Sequence, residues 1–189
     1  MQILRLNKAG YPIDWIGWQD AVCLYSRELV CWSLGETVFR ARGGINRLSG
    51  RRSIIELNSI IACGGEKLAR PRANPLLSNR ALFERDNGQC MYCGHFFERR
   101  LLTRDHIVPS SRGGRDVWEN VVSACRRCNQ YKGDRSLSDV NMELVALPYR
   151  PNPAEFLALE NSRRILQEQA DFLQKNFSSN CRWQMPAAN

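Results

Sequence analysis

Two Cys-x-x-Cys pairs, Cys90/Cys93 and Cys125/Cys128, bracket the dipeptide Asp105-His106. Four thiolates in two close pairs make the ligand set of a tetrahedral structural zinc site, so the chain between them has to return on itself. A histidine beside a carboxylate is what metal-assisted hydrolysis needs. One segment thus offers two metal chemistries, one that holds the fold and one that carries a reaction. Two such pairs together, with no βαβ pattern around them, argue against a redox Cys-x-x-Cys.

A chain of 189 residues has room for one medium domain or two small ones. Its net charge of +8 and pI of about 9.3 point to an anionic partner, nucleic acid or an anionic membrane. No stretch is long and apolar enough to span a bilayer, so a membrane partner is not expected. The segment Met1–Leu6 lacks a basic region followed by an apolar core, so no secretory leader is read and a cytoplasmic location is expected. In that reducing setting the eight cysteines favour metal ligation over disulfides. Cys23, Cys31, Cys63 and Cys181 read as small buried apolar side chains.

Residues 1–75 read as a basic, β-rich domain. Ile3–Leu6 fits a strand, residues 18–26 a helix, and 29–32 and 36–39 two further strands separated by Gly35. Its tryptophans and tyrosines are expected in the core rather than stacked on bases. Residues 40–72 carry Arg40, Arg42, Arg47, Arg51, Arg52, Lys67, Arg70 and Arg72 against Glu56 and Glu66, broken by glycines. They read as a loop-rich segment able to track a phosphate backbone, with Arg51 and Arg52 as nucleic-acid contacts.

Pro71 and Pro75 mark a connection, and Ser78 is a good N-cap for a helix through Asp86. Leu101–Val108 can form a strand, Val117–Val122 a turn and a short strand, and Cys128–Lys132 should open a helix. Residues 153–177 read as one polar helix with a seam of Phe156, Leu159, Leu166, Ala170, Leu173 and Phe177, and residues 178–189 as a mobile tail. Asp105 and His106, adjacent on a strand, point to opposite faces unless the backbone bends. The dipeptide alone therefore leaves a purely structural histidine open.

The ordered blocks Cys90-Met-Tyr-Cys93-Gly, Leu102-Thr-Arg-Asp-His-Ile-Val-Pro-Ser, Gly113-Gly114, Trp118-Glu-Asn120, Ala124-Cys-Arg-Arg-Cys-Asn129 and Lys132-Gly133 resemble the HNH endonuclease family over residues 78–147. The resemblance implies an α+β chain. A β-rich N-terminal domain would precede a zinc-stapled, treble-clef-like ββα-metal module and a C-terminal helix. It implies phosphodiester hydrolysis in DNA, with His106 as general base and Asn120 orienting the loop and that base. Asp105 and Asn129 would ligate a catalytic cation, and Cys90, Cys93, Cys125 and Cys128 a structural Zn²⁺. Asn129 stands where the family has a final His or Asn, and its oxygen suits Mg²⁺ or Mn²⁺. Arg104 and Lys132 are placed to contact flanking phosphates. His95 lies outside the matched positions and reads as a residue of the surface or one that supports the site from behind its ligands. Leu6-Asn7, Pro12, Trp18, Ala21-Val22 and Leu24 resemble a lead segment found ahead of this module in bacterial proteins, which implies a bacterial or viral source. The rival from another class is a non-catalytic zinc-dependent nucleic-acid-binding module. The oligomeric state stays open, a homodimer included.

Overall fold

A computed structural model of the chain describes residues 1–65 and 75–183. The expected contributions of Lys67, Arg70, Pro71 and Arg72 lie outside the described residues. The chain is α+β and divides into two units. The first comprises Met1–Asn74 with Arg163–Asn176, the second Pro75–Ser162 with Phe177–Asn189. No helix among the described residues is long and apolar enough to cross a membrane.

In the first unit, strands β1 (Ile3–Asn7), β2 (Pro12–Ile16), β3 (Val30–Ile45) and β4 (Arg52–Cys63) form one sheet in the order β2-β1-β4-β3. Helix α1 (Trp18–Ser26) places Ala21 and Leu24 on a core with Ile3, Ile16, Leu57, Ile61 and Cys63. The two short strands expected around Gly35 are one long strand. Gly35 adopts a positive φ of 84° there, and a register shift between Leu34 and Thr37 absorbs the irregularity that its glycine signalled. The basic stretch expected to be loop-rich is instead the outer part of the β3/β4 hairpin, closed by residues 46–51. Asn46 Oδ1 accepts from the Leu48 and Ser49 amides at 2.9 and 3.0 Å in that turn. Cys63 is buried as expected, but Cys23 and Cys31 are exposed, because each sits on the outward side of its element.

The expected helix over 153–177 is two helices, α4 (Pro153–Asn161) and α5 (Gln167–Gln174). The apolar seam does not serve one interface. Phe156 and Leu159 are buried within the second unit, whereas Ala170 and Leu173 are buried within the first. There the Gln169 amide donates to the Gln2 and Ser59 carbonyls at 3.1 and 2.8 Å. The expected mobile tail is docked over its described part. Ser178 donates to Glu155 Oε1 at 2.7 Å, and Trp183 is buried edge-on against Phe177. Residues 184–189 lie outside the described residues.

The second unit is built around helix α2 (Asn79–Arg85), capped by the Ser78 hydroxyl accepting from the Ala81 amide at 3.1 Å. Strands β5 (Leu102–His106) and β6 (Val121–Cys125) pair antiparallel, with His106 opposite Val121, and helix α3 (Arg126–Lys132) follows directly. The last residues of α2 make an unanticipated brace. Arg85 and Asp86 are fully buried and ion-paired at 2.9 Å. The Arg85 guanidinium donates to the carbonyls of Trp118, Val121 and Tyr149 and lies over the Trp118 and Tyr149 rings. Asp86 accepts from the Ser123 amide at 2.8 Å. This brace fixes the start of β6 and the turn that delivers Asn120. Arg85→Ala leaves Asp86 without that buried cation and three carbonyls without their donor. A stability loss of about 3–5 kcal/mol is expected, read as a lowered urea midpoint; an unchanged midpoint would show that the brace is dispensable.

Candidate active site

Strand β5 and the loop after it carry the candidate reactive groups. The strand alternates its side chains, so Asp105 turns inward and is buried while His106 is half-exposed. A shallow cleft of about 330 Å³ nevertheless draws on both, together with Arg104, Ser110, Asn129 and Lys132. The end of the strand and the C-terminal half of α3 share this cleft, which is how neighbours of opposite facing reach one site.

His106 Nε2 lies 3.0 Å from Asp116 Oδ1. The same carboxylate accepts from Arg104 at 2.8 and 2.6 Å. Partial desolvation would raise the Asp116 carboxyl, but Arg104 outweighs that and, with His106, holds it below the usual carboxylate range. An ionised carboxylate only accepts, so Nε2 bears a proton, and in the neutral tautomer Nδ1 is the nitrogen with the lone pair. Asp116 was not singled out from the sequence. Its signal was faint, an acid four residues before Asn120 in a loop whose path the sequence does not give.

Asn120 clasps that loop as a two-sided clamp. Its Oδ1 accepts from the Val108 amide at 2.9 Å, and its Nδ2 donates to the Val108 and Arg115 carbonyls at 3.1 and 2.9 Å. The loop closes so tightly that a Cβ on Gly114 would fall 1.7 Å from the Val108 carbonyl oxygen, which explains a glycine there.

Asp105 is met by the buried Lys132 ammonium at 3.1 Å and by the Tyr92 hydroxyl. Burial, and then the bond to Asp105, push the Tyr92 phenol well above its ordinary range, so it remains a donor. Lys132 also donates to the His106 carbonyl at 2.7 Å. The two cations expected at flanking phosphates both have partners within the protein. Lys132 is fully buried, and Arg104 is turned onto Asp116. Asn129 Nδ2 donates to Thr103 Oγ1 at 2.8 Å, which leaves the amide oxygen as its ligand atom. Asp105 and Asn129 thus offer hard oxygen donors to one cleft, a set that fits a magnesium-like cation rather than zinc.

Apart from this cleft, the Sγ atoms of Cys90, Cys93, Cys125 and Cys128 all lie within 4.8 Å of one another. Tetrahedral Zn–S bonds of about 2.3 Å would set those atoms roughly 3.8 Å apart, so the cluster can hold zinc with a small contraction. The first pair sits in a tight turn closed by the Gln89/Phe96 bridge and the Cys90 amide donating to the His95 carbonyl. Cys125 caps α3, its sulfur accepting from the Cys128 amide at 3.4 Å. Burial raises the Cys90 thiol, but the amides of Cys93, Cys125 and Tyr92 outweigh it and hold it below its ordinary value. His95 is exposed at the edge of this cluster and away from the cleft.

Part of the chain is similar to known proteins. A 52-residue stretch is 44% identical to the CRISPR-associated endonuclease Cas9 of Corynebacterium diphtheriae, covering 27% of this chain and 5% of that protein. The chain therefore spans only a small part of that relative's length. Residues 90–145, which contain both cysteine pairs, the Asp105-His106 strand end, Asn120 and Asn129, match the model of the HNH endonuclease family.

Proposed function

We propose that this chain is a metal-dependent endonuclease that hydrolyses DNA phosphodiester bonds, with residues 78–147 as a zinc-stapled ββα-metal module. The observation that carries the reading is the His106–Asp116 pair on the rim of a cleft also lined by Asp105 and Asn129. Binding alone calls for no imidazole so fixed.

His106 acts as general base. Donation of Nε2–H to Asp116 fixes the ring's tautomer and orientation, and Nδ1 takes the proton of the attacking water. Asp116 then stabilises the imidazolium as it forms, while Arg104 holds that carboxylate in place. Asn120 keeps the loop bearing Asp116 closed against the strand end. Asp105 and Asn129 would hold the divalent cation, which when bound supplies positive charge to a non-bridging phosphate oxygen and to the leaving 3′ oxygen. Lys132 and Tyr92 pin the Asp105 carboxylate so that its position does not depend on the cation. The four cysteines would bind Zn²⁺ and carry no step.

Supercoiled plasmid incubated with the protein and magnesium or manganese is expected to be nicked, and EDTA is expected to stop the reaction. Plasmid that stays intact under all divalent conditions, while the protein still retards it on a gel, would leave the non-catalytic nucleic-acid-binding reading in its place.

A further inference from the structure

We infer that the outer part of the β3/β4 hairpin is a duplex-DNA-binding arm that enters the major groove by its arginine–isoleucine face; this rests on the DNA reading above and adds how the duplex is held. Beyond the Arg40/Glu56 pair nearly every residue of the hairpin is exposed on both faces, unlike the inner half that carries Leu57, Ile60 and Ile61 in the core. At about 3.3 Å per residue the free part extends roughly 20 Å. A two-stranded ribbon fits a major groove about 12 Å wide.

Cross-strand partners share a face. The pairs Arg40/Glu56, Arg42/Ile54 and Ile45/Arg52 therefore line one side of the ribbon, whereas Ala41, Gly43, Ser53 and Ile55 lie on the other. Residues 40–56 hold five arginines and one glutamate, a net charge of +4. Arg40 is paired with Glu56 at 2.9 Å, while Arg42, Arg47, Arg51 and Arg52 form no ion pair among the described residues. Between these charges three large apolar side chains stand in solvent: Ile45 at 60%, Ile54 at 57% and Leu48, at the tip, at 100% exposure. Solvation alone explains exposed arginines but not exposed isoleucines and leucine on the same strip. A groove explains both, with phosphates along its walls and thymine methyls and base edges on its floor. Protein association through this face is disfavoured by the density of like charge.

The test is fluorescence anisotropy with the full-length chain and a short duplex or its single strand, titrated with salt and without added divalent cation, so that nothing is cleaved. Arg42→Ala and Arg52→Ala are each expected to weaken duplex binding and to reduce the slope of log affinity against log salt by about one. Leu48→Ser and Ile54→Ser are expected to weaken duplex binding with that slope unchanged, because they remove apolar contact rather than counterion release. Unchanged thermal midpoints in all four variants, whose side chains touch no core, confirm that the arm is read and not the fold. Serine variants that bind like the parent would overturn groove entry, as would arginine variants with an unaltered slope or a parent that prefers the single strand. A parent that binds duplex but never nicks it removes the endonuclease reading and leaves the arm. A parent that nicks while all arm variants bind as it does removes the arm alone.

Discussion

His106→Ala is expected to lower plasmid cleavage by about 10²- to 10⁴-fold, the range for losing a general base, while zinc content and duplex affinity stay at parental levels. The imidazole is half-exposed and its ring hydrogen bond among the described residues is the one to Asp116, so its removal leaves the core intact. Asp116→Ala should cost less, about 10- to 100-fold, the scale for an outer partner that fixes an imidazole. It should do so in kcat with KM unchanged, and Asp116→Glu should restore part of the loss. The cation is tested better with Asp105→Asn than with alanine. Alanine at 105 would strand the fully buried Lys132 ammonium and confound metal loss with unfolding. Asp105→Asn should be rescued in part by raised magnesium, whereas His106→Ala should not. Cleavage by His106→Ala at the parental rate would end the general-base mechanism for this chain.

The legible parts of this molecule are those where local chemistry and tertiary structure agree. Ser78 announces α2, and the spacing of Trp18, Ala21, Val22 and Tyr25 announces α1, whose bounds the structure reproduces at Trp18–Ser26. The cysteine pairs announce a four-thiol cluster because ligand chemistry fixes their meeting without knowledge of the path between them. The hairpin was not legible for the opposite reason. A ribbon exposed on both faces has no inside, so the period-two contrast that marks a strand is missing, and Gly43-Gly44 and Gly50 read as loop.

Charged residues misled in both directions. Arg85, Asp86 and Lys132 look like surface in the sequence, yet they are buried because each meets an opposite charge and carbonyls or amides from distant segments. Such partners lie 26 or more positions away, as for Lys132 with the His106 carbonyl and Arg85 with Trp118, and no local pattern records them. Asp116 was hidden by a shorter reach, 10 positions to His106 and 12 to Arg104, across a loop with no local pattern.

Stripping the metal from the cysteine cluster is expected to cost the second unit its fold. The apolar cluster of Ala81, Leu82, Phe83, Leu102, Trp118, Val121 and Phe156 packs α2 and α4 against the β5/β6 hairpin. On the side of the cysteines there is instead a trough of about 790 Å³ lined by Phe97, Leu101, Tyr131, Cys93, Cys125 and Cys128. The turn of Cys90 and Cys93 is joined to β6 by the Met91 amide donating to the Ser123 carbonyl at 2.8 Å, so four metal–sulfur bonds would be the main tie across that trough. Structural zinc in zinc-finger peptides contributes about 10–16 kcal/mol of apparent binding free energy, a magnitude comparable to the typical total stability of roughly 5–15 kcal/mol. Protein purified without chelator should therefore carry one zinc per chain by native mass spectrometry. Cys125→Ser or a strong chelator should abolish the metal, broaden the amide spectrum of residues 75–162 and eliminate nicking even in excess magnesium. Cys125→Ser should be the more severe of the single changes, because that sulfur also caps α3, the helix that presents Asn129 to the cleft. Zinc-free protein with a parental thermal midpoint would mean that the four thiols are packed for some other reason, and the metal-stapled reading of this unit would fall.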